Sequence, residues 1–318
     1  MPPRPRLREH DEARVRAAIA RADREAPGDH AAFLEALNDG YYGRLRRRAL
    51  TGIRPGRAPD SFEMARDDRY LGNARELARR GFAGTRVVGG QAVRSQEYAD
   101  CVAVGCDDAW QCTGTLISAR AVVTAGHCAD CATRVFFGND VSRRGVVVGV
   151  KARVRHPRYH KGRHNDLMVL ILRKEAPVAP RRLADARLIE RAADARVVGF
   201  GNTNVAGTLG YGRKRMVDVP IASPACRGGT RGRDDAVSYG CDPGFELVAG
   251  KPLLERDSCS GDSGGPLYVA AKGGEWRLAG VTSRATDSAL HECGDGGIYA
   301  RIDRYRSWLR AIPGVRLA

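Results

Sequence analysis

The chain has 318 residues, enough for about two domain-sized units, and its 53 Lys and Arg against 37 Asp and Glu give a formal net charge of +16. The longest uninterrupted apolar stretch, Leu167 to Leu172, falls far short of the ~20 residues that a membrane span requires, so no membrane span is expected. The arginines are scattered, with only Arg46, Arg47 and Arg48 forming a compact cluster, and no zinc finger, helix-turn-helix or RNA-binding motif accompanies them; solvated surface charge accounts for the balance, and no nucleic-acid partner is expected.

Residues 1 to 86 read as a small helical or partly disordered extension, rich in charge. Val15, Ala18, Ile19 and Ala22 recur at helical spacing, and so do Phe33, Leu34 and Leu37, which lie between Asp29 and Gly40, residues suited to cap the two ends of a helix. Asp60 with Glu63 forms a capping box for a third helix running to about Gly81. The Gly- and Pro-bearing stretch from Thr51 to Pro59 predicts a loop before it. After residue 87 the character changes. Apolar runs shorten, glycine is abundant and helical periodicity is scarce, which predicts many β-strands over residues 87 to 318.

Three motifs in that region carry chemistry. Thr124-Ala-Gly-His-Cys128 places a histidine after an apolar run, Asn165-Asp166 places an aspartate at the head of the apolar run ending at Leu172, and Asp257-Ser-Cys-Ser-Gly-Asp-Ser-Gly-Gly-Pro266 places Ser263 among glycines. A serine hydroxyl attacks a carbonyl only when a base takes its proton and backbone amides stabilise the oxyanion. Glycines let the chain turn tightly enough to aim those amides, here from Gly261 and Ser263. Alone, the Gly-x-Ser-x-Gly pattern also fits the nucleophile elbow of an α/β-hydrolase. The order His127, Asp166, Ser263 separates the two, because an α/β-hydrolase runs serine, acid, histidine, and the observed order is that of the chymotrypsin triad.

Together with Val87-Val-Gly-Gly90, Cys112-Thr-Gly-Thr-Leu-Ile-Ser118, Ser283 and Tyr305-Arg-Ser-Trp-Leu309, these residues make the chain from about 87 to 318 resemble the trypsin-like serine proteases. The resemblance implies an all-β fold of two antiparallel β-barrels packed side by side, closed by a short C-terminal helix around Asp303 to Ala311, with the triad in the cleft between them. It implies an endopeptidase in which His127 acts as general base and then acid, Asp166 orients it and Ser263 forms an acyl-enzyme. No cofactor or metal is called for. The alternative is a non-catalytic, protease-like binding or regulatory protein; such proteins typically lose a triad residue, and none is lost here.

In the resembled family the residue six before the nucleophile lies at the base of the primary specificity pocket. Here that is Asp257, which predicts protein or peptide substrates with Arg or Lys before the scissile bond, because a desolvated carboxylate needs a cationic partner. Ser258, Ser283, Ala285 and Gly297 complete the expected substrate-binding set, Gly297 being small enough to keep the slot open. Where the family usually has Trp-Gly after the serine, this chain has Arg284-Ala285, so one subsite wall is expected to be cationic and the pocket mouth to gain a methyl. A monomer is expected. In the same family, cutting after a basic residue frees an α-amino group that folds inward onto the aspartate before the nucleophile. Those residues are Arg86, Val87 and Asp262. Residues 1 to 86 then read as a propeptide and the whole chain as a zymogen, with Asp262 expected to sit elsewhere before cleavage.

The resemblance pairs three sets among the nine cysteines: Cys112 with Cys128, Cys226 with Cys241, and Cys259 with Cys293. For Cys101, Cys106 and Cys131, a bond between Cys106 and Cys131 is favoured, leaving Cys101 free in a strand, although sequence alone leaves the connectivity open. Cys128 and Cys131 also form a Cys-x-x-Cys that, with Cys101 and Cys106, makes a four-thiolate zinc set; the disulfide use of Cys128 is preferred. His156, His160 and His164 have tempting spacing, but Pro157 interrupts them and no metal is expected there. Disulfides imply an oxidising compartment, so a secreted or periplasmic location is expected. Met1 to Arg8 leads into no apolar h-region, so a start further upstream and another export route both stay open.

Overall fold

The computed structural model describes residues 90–94, 96–106, 109–160, 164–202, 211–227, 234–250, 257–259, 261–287, 289 and 296–318. The helices expected within residues 1 to 86, and Arg86 and Val87 at the junction, lie outside the described residues.

Six strands, β2 (Cys101–Cys106), β3 (Ala109–Ser118), β4 (Ala121–Thr124), β5 (Arg134–Phe137), β6 (Val146–Arg155) and β7 (Met168–Leu172), close an antiparallel barrel in the order β2-β3-β4-β7-β6-β5. Side chains alternate across a strand, so Val102, Val104, Leu116, Val122, Met168 and Leu170 fill the barrel. The intervening Ala103, Ile117, Ala121, Val123 and Val169 face a second core shared with the other half of the molecule. Burial on both faces explains why β2, β4 and β7 read as continuous apolar runs rather than as alternating ones.

The second barrel uses β8 (Asp194–Gly199), β9 (Arg215–Ser223), β10 (Glu246–Ala249), β11 (Pro266–Ala270), β12 (Trp276–Ala285) and β13 (Gly297–Arg301). Their order is β9-β10-β13-β12-β11-β8, closed by pairing of β8 with β9, while the two-residue β1 (Gln91–Ala92) adds to the outside of β9. Val197, Val217, Val219, Leu247, Leu267 and Ala279 fill it. Each of these Val and Leu side chains, once fully buried, contributes about 1.5–3 kcal/mol.

The core between the barrels takes Val198, Phe200, Leu278 and Val281 from the second barrel, together with Leu309, Ile312 and Val315 from the C-terminal segment. Asp100, also buried, accepts from the Arg181 guanidinium and from the Tyr268 hydroxyl at 2.7 Å, which offsets the cost of a carboxylate out of water. The short C-terminal helix expected around Asp303 to Ala311 is present, opening as a 3-10 turn, Ile302–Tyr305, that leads into the α-helix Arg306–Ala311. Two further short helices, α1 (Ala186–Arg191) and α2 (Asp235–Tyr239), are capped by Asp185 and Asp234. With Arg306–Ala311 as α3, none of the described helices is long and apolar enough to cross a membrane.

Disulfides join Cys106 to Cys131, Cys112 to Cys128 and Cys226 to Cys241, and Cys101 is a free, buried thiol. The four-thiolate zinc reading therefore fails, since three of its members are spent on disulfides. Cys259 is also disulfide-bonded; Cys293 lies outside the described residues.

Candidate active site

The 3-10 turn Gly126–Cys131 carries His127 and is tied at two points, to β3 through Cys112–Cys128 and to the end of β2 through Cys106–Cys131. The His127 amide donates to Asp166 Oδ1 at 3.0 Å, and Nδ1 of its ring lies 2.7 Å from Oδ2. Ser283 Oγ donates to the same Oδ2 at 2.7 Å. Burial opposes ionisation of Asp166, but the neighbouring His127 and the hydrogen bonds from His127 and Ser283 hold its carboxyl below the usual range. An ionised Asp166 fixes the ring proton on Nδ1 and leaves Nε2 as an acceptor.

The loop bearing Ser263 packs on the first barrel beside this pair. Its carbonyl accepts from the Thr113 amide at 2.8 Å, and Cys128 Sγ lies 3.7 Å from the same oxygen. Two glycines permit the approach. At Gly264, with φ +78°, a Cβ would sit 2.6 Å from the Ala125 nitrogen, and at Gly261, with φ +95°, one would sit 2.9 Å from the Gly201 Cα. Within the loop the amides of Asp262, Gly264 and Gly265 are spent on the carbonyls of Cys259, Thr282 and Asp262. Those of Gly261 and Ser263 have no hydrogen-bond partner among the described residues. Asp262 is fully buried and accepts from the Gly201 amide at 2.8 Å and the Cys259 amide at 2.9 Å; burial pushes its carboxyl up to about 6.

Asp257 is likewise buried, and burial pushes it up to about 7 despite a 2.7 Å hydrogen bond from Tyr299 Oη. Tyr299 Oη also reaches Ser258 Oγ at 3.4 Å, and a Cβ at Gly297 would lie 3.2 Å from that Ser258 oxygen. Asp257, Ser258, Gly297 and Tyr299 thus share one locus. Ala285 ends β12, paired with Gly297.

Arg284 differs from expectation. Its guanidinium grips both oxygens of Glu246, Nη1 to Oε1 at 2.7 Å and Nη2 to Oε2 at 2.8 Å, and donates to the Gly240 carbonyl at 2.9 Å. The wall at this position is a balanced ion pair rather than a free cation. Sequence reasoning missed Glu246 and Tyr299; the available signal was an acidic residue opening the apolar run Leu247-Val-Ala249, which requires a buried counter-charge. His156 instead packs edge-on against Tyr305 and Trp308, and His164 Nδ1 lies 2.9 Å from Asp242 Oδ2, so these histidines make separate contacts. Cys112, His127 and Cys128 also cluster with ligand atoms within 4.8 Å, but the Cys112–Cys128 disulfide leaves no thiolate to bind a metal.

A family model described as Trypsin matches residues 87–309. Among curated relatives, a protein named Trypsin from Saccharopolyspora erythraea is 33% identical over 234 residues, which is 69% of this chain and 94% of that one. Kallikrein-14 of Homo sapiens is 28% identical over 236 residues, 70% of this chain and 83% of its own length. Transmembrane protease serine 11E of Mus musculus is 30% identical over 246 residues, 72% of this chain and 55% of the relative, so the chain spans about half of that protein.

Proposed function

The chain belongs to the trypsin family of serine proteases, and from that premise we propose that it is a secreted zymogen of an endopeptidase that cleaves after Arg or Lys. Residues 1–86 are its propeptide, residues 87–318 its catalytic domain, and cutting after Arg86 activates it. The observation that carries the reading is the Asp166 carboxylate held between His127 and Ser283.

With Asp166 ionised and the proton on Nδ1, Nε2 of His127 takes the Ser263 proton as the oxygen attacks the substrate carbonyl. The developing oxyanion is received by the amides of Gly261 and Ser263, whose neighbours are already spent on carbonyls. His127 then protonates the leaving amine, and water repeats the sequence on the acyl-enzyme. An Arg or Lys side chain entering beside Asp257 supplies the cation that buried carboxyl lacks, whereas an apolar side chain leaves it unpaired. Asp262 supports the zymogen step. In the full-length chain its partners are backbone amides, and the α-amino group freed at Val87 is the missing counter-charge. The disulfides fit an oxidising compartment.

The test is labelling with a fluorophosphonate probe before and after trypsin treatment, followed by turnover of Arg, Lys and apolar substrates. Labelling is expected after cleavage and is lost in Ser263→Ala. Asp257→Ser is expected to lower kcat/KM on Arg and Lys substrates by roughly a hundred-fold or more while relatively favouring apolar ones. A cleaved chain that resists the probe favours the non-catalytic alternative. Equal loss on both substrate classes removes Asp257 from substrate selection.

A further inference from the structure

Ser283 has a single hydroxyl proton, and it goes to Asp166. The remaining capacity of that oxygen is acceptor only, so a further polar neighbour must be a donor. Arg284 Nη1 lies 3.4 Å from it. The same guanidinium is fixed in place by the two parallel bonds to Glu246, whose side chain is 1% exposed, and by the Gly240 carbonyl. A bidentate pair of this kind sets orientation as well as distance, so the Ser283 oxygen is met from behind by a cation that cannot swing away.

We propose that the Glu246–Arg284 pair is a positioning device for the His127–Asp166 couple: it holds the Ser283 hydroxyl on Asp166 and places a balanced charge behind that carboxylate. Only its effect on peptide cleavage rests on the endopeptidase reading; its effect on the imidazole does not.

The two members are not equivalent as seen from Asp166. Arg284 is the member that reaches Ser283, with Nη1 3.4 Å from the oxygen that donates to Asp166, and the charges of Glu246 and Asp166 favour its cationic form against the cost of burial. Burial raises the Glu246 carboxyl in spite of its partner. The pair therefore turns its positive end toward Asp166. An uncompensated cation there opposes protonation of His127, and loss of the cation favours it. The other charged or titratable groups in these surroundings are Asp242 with its partner His164, Asp287, Arg158 and the Tyr305 phenol.

The experiment uses the full chain carrying Ser263→Ala, labelled with 15N-histidine, with the His127 resonance identified by its loss in His127→Gln. The His127 titration midpoint is measured by NMR at fixed ionic strength. Glu246→Gln, which leaves Arg284 uncompensated, lowers the midpoint by about half a pH unit, and Arg284→Gln raises it by about as much. Arg284→Lys keeps the charge and stays near the parent. If Arg284→Gln does not fold, the double variant Glu246→Leu with Arg284→Met, an apolar replacement of a kind that buried pairs often tolerate, removes the same positive end and raises the midpoint. In the cleaved, active background the acid limb of kcat shifts with the same signs while KM stays within about two-fold. Midpoints that do not move in folded variants, or that move in the same direction, overturn the inference. A cleaved wild-type chain without peptidase activity strikes at the functional reading instead and leaves the NMR outcome to decide this one.

Discussion

Asp262 shows how one residue couples activation to stability. It is fully buried, with the Gly201 and Cys259 amides as partners. Its folded value of about 6 stands above the unfolded reference of roughly 3.9, so the folded chain holds the proton more tightly. The stability this provides is present at low pH and is lost as pH rises through about 4 to 6. Relative to the parent, full-length Asp262→Asn should therefore lose about 2 kcal/mol of the stability difference between pH 4.5 and 7.5. It should be at least as stable as the parent at the higher pH once allowance is made for one lost acceptor. After cleavage the sign reverses, because the Val87 amine then needs the carboxylate, and the variant should be both weaker and inactive. Urea unfolding at both pH values, before and after cleavage, checks this; a parent-like pH slope in Asp262→Asn would remove Asp262 as its source. At this scale the sequence was legible where chemistry dictates a local motif, as in the motifs that bring His127 and Asp166 together. It was opaque where the partner lies far along the chain: Glu246 meets Arg284 across 38 residues, and Tyr299 meets Asp257 across 42.

Strands and turns sort by how much of their environment is local. The runs Val102-Ala-Val104 and Met168-Val-Leu-Ile-Leu172 announced strands because both of their faces are buried. The closure of β8 on β9 had no local signature, since Asp194 pairs with Pro220 far along the chain. Helices α1 and α2, of six and five residues, are too short to display a helical period. The His127 turn is an element held by covalent ties in addition to its hydrogen bonds. Its two disulfides divide that work unequally. Cys106–Cys131 closes 25 residues and Cys112–Cys128 closes 16, so on a loop-entropy basis each contributes about 3 kcal/mol. Only the second adjoins His127 directly. Replacing Cys106 and Cys131 by Ser should lower stability by about 3 kcal/mol while leaving probe labelling of Ser263 near the parent rate in the cleaved protein. Replacing Cys112 and Cys128 should cost a similar stability and also slow labelling. Urea midpoints and labelling rates measured on the same samples separate the two effects; equal labelling rates in both variants would show that the turn orients His127 without the nearer disulfide.

At the scale of the whole molecule, the proposed propeptide and catalytic domain are joined by the Arg86–Val87 peptide bond. Strand β1 is fixed to β9, and the Val93 amide donates to the Lys214 carbonyl at 3.1 Å. Only Val87, Val88, Gly89 and Gly90 separate the Arg86 bond from that anchor, a tether of at most about 14 Å when extended. A freed amine is thereby confined close to the second barrel, where the carboxylate proposed to receive it is already buried. Arg86 is also a residue of the type that the Asp257 pocket is proposed to select, so the mature form should process its own precursor between molecules. Purified wild-type chain should convert to a form beginning at Val87 with a lag that shortens at higher concentration or on seeding with active enzyme. The Ser263→Ala chain should stay whole alone and be cut in trans, whereas Arg86→Gln should resist both routes and remain nearly inactive. N-terminal sequencing over time, with activity measured on the same aliquots, decides the matter. Full activity in uncleaved Arg86→Gln would mean that pairing of Val87 with Asp262 does not assemble the oxyanion site, and the zymogen reading would fail with it.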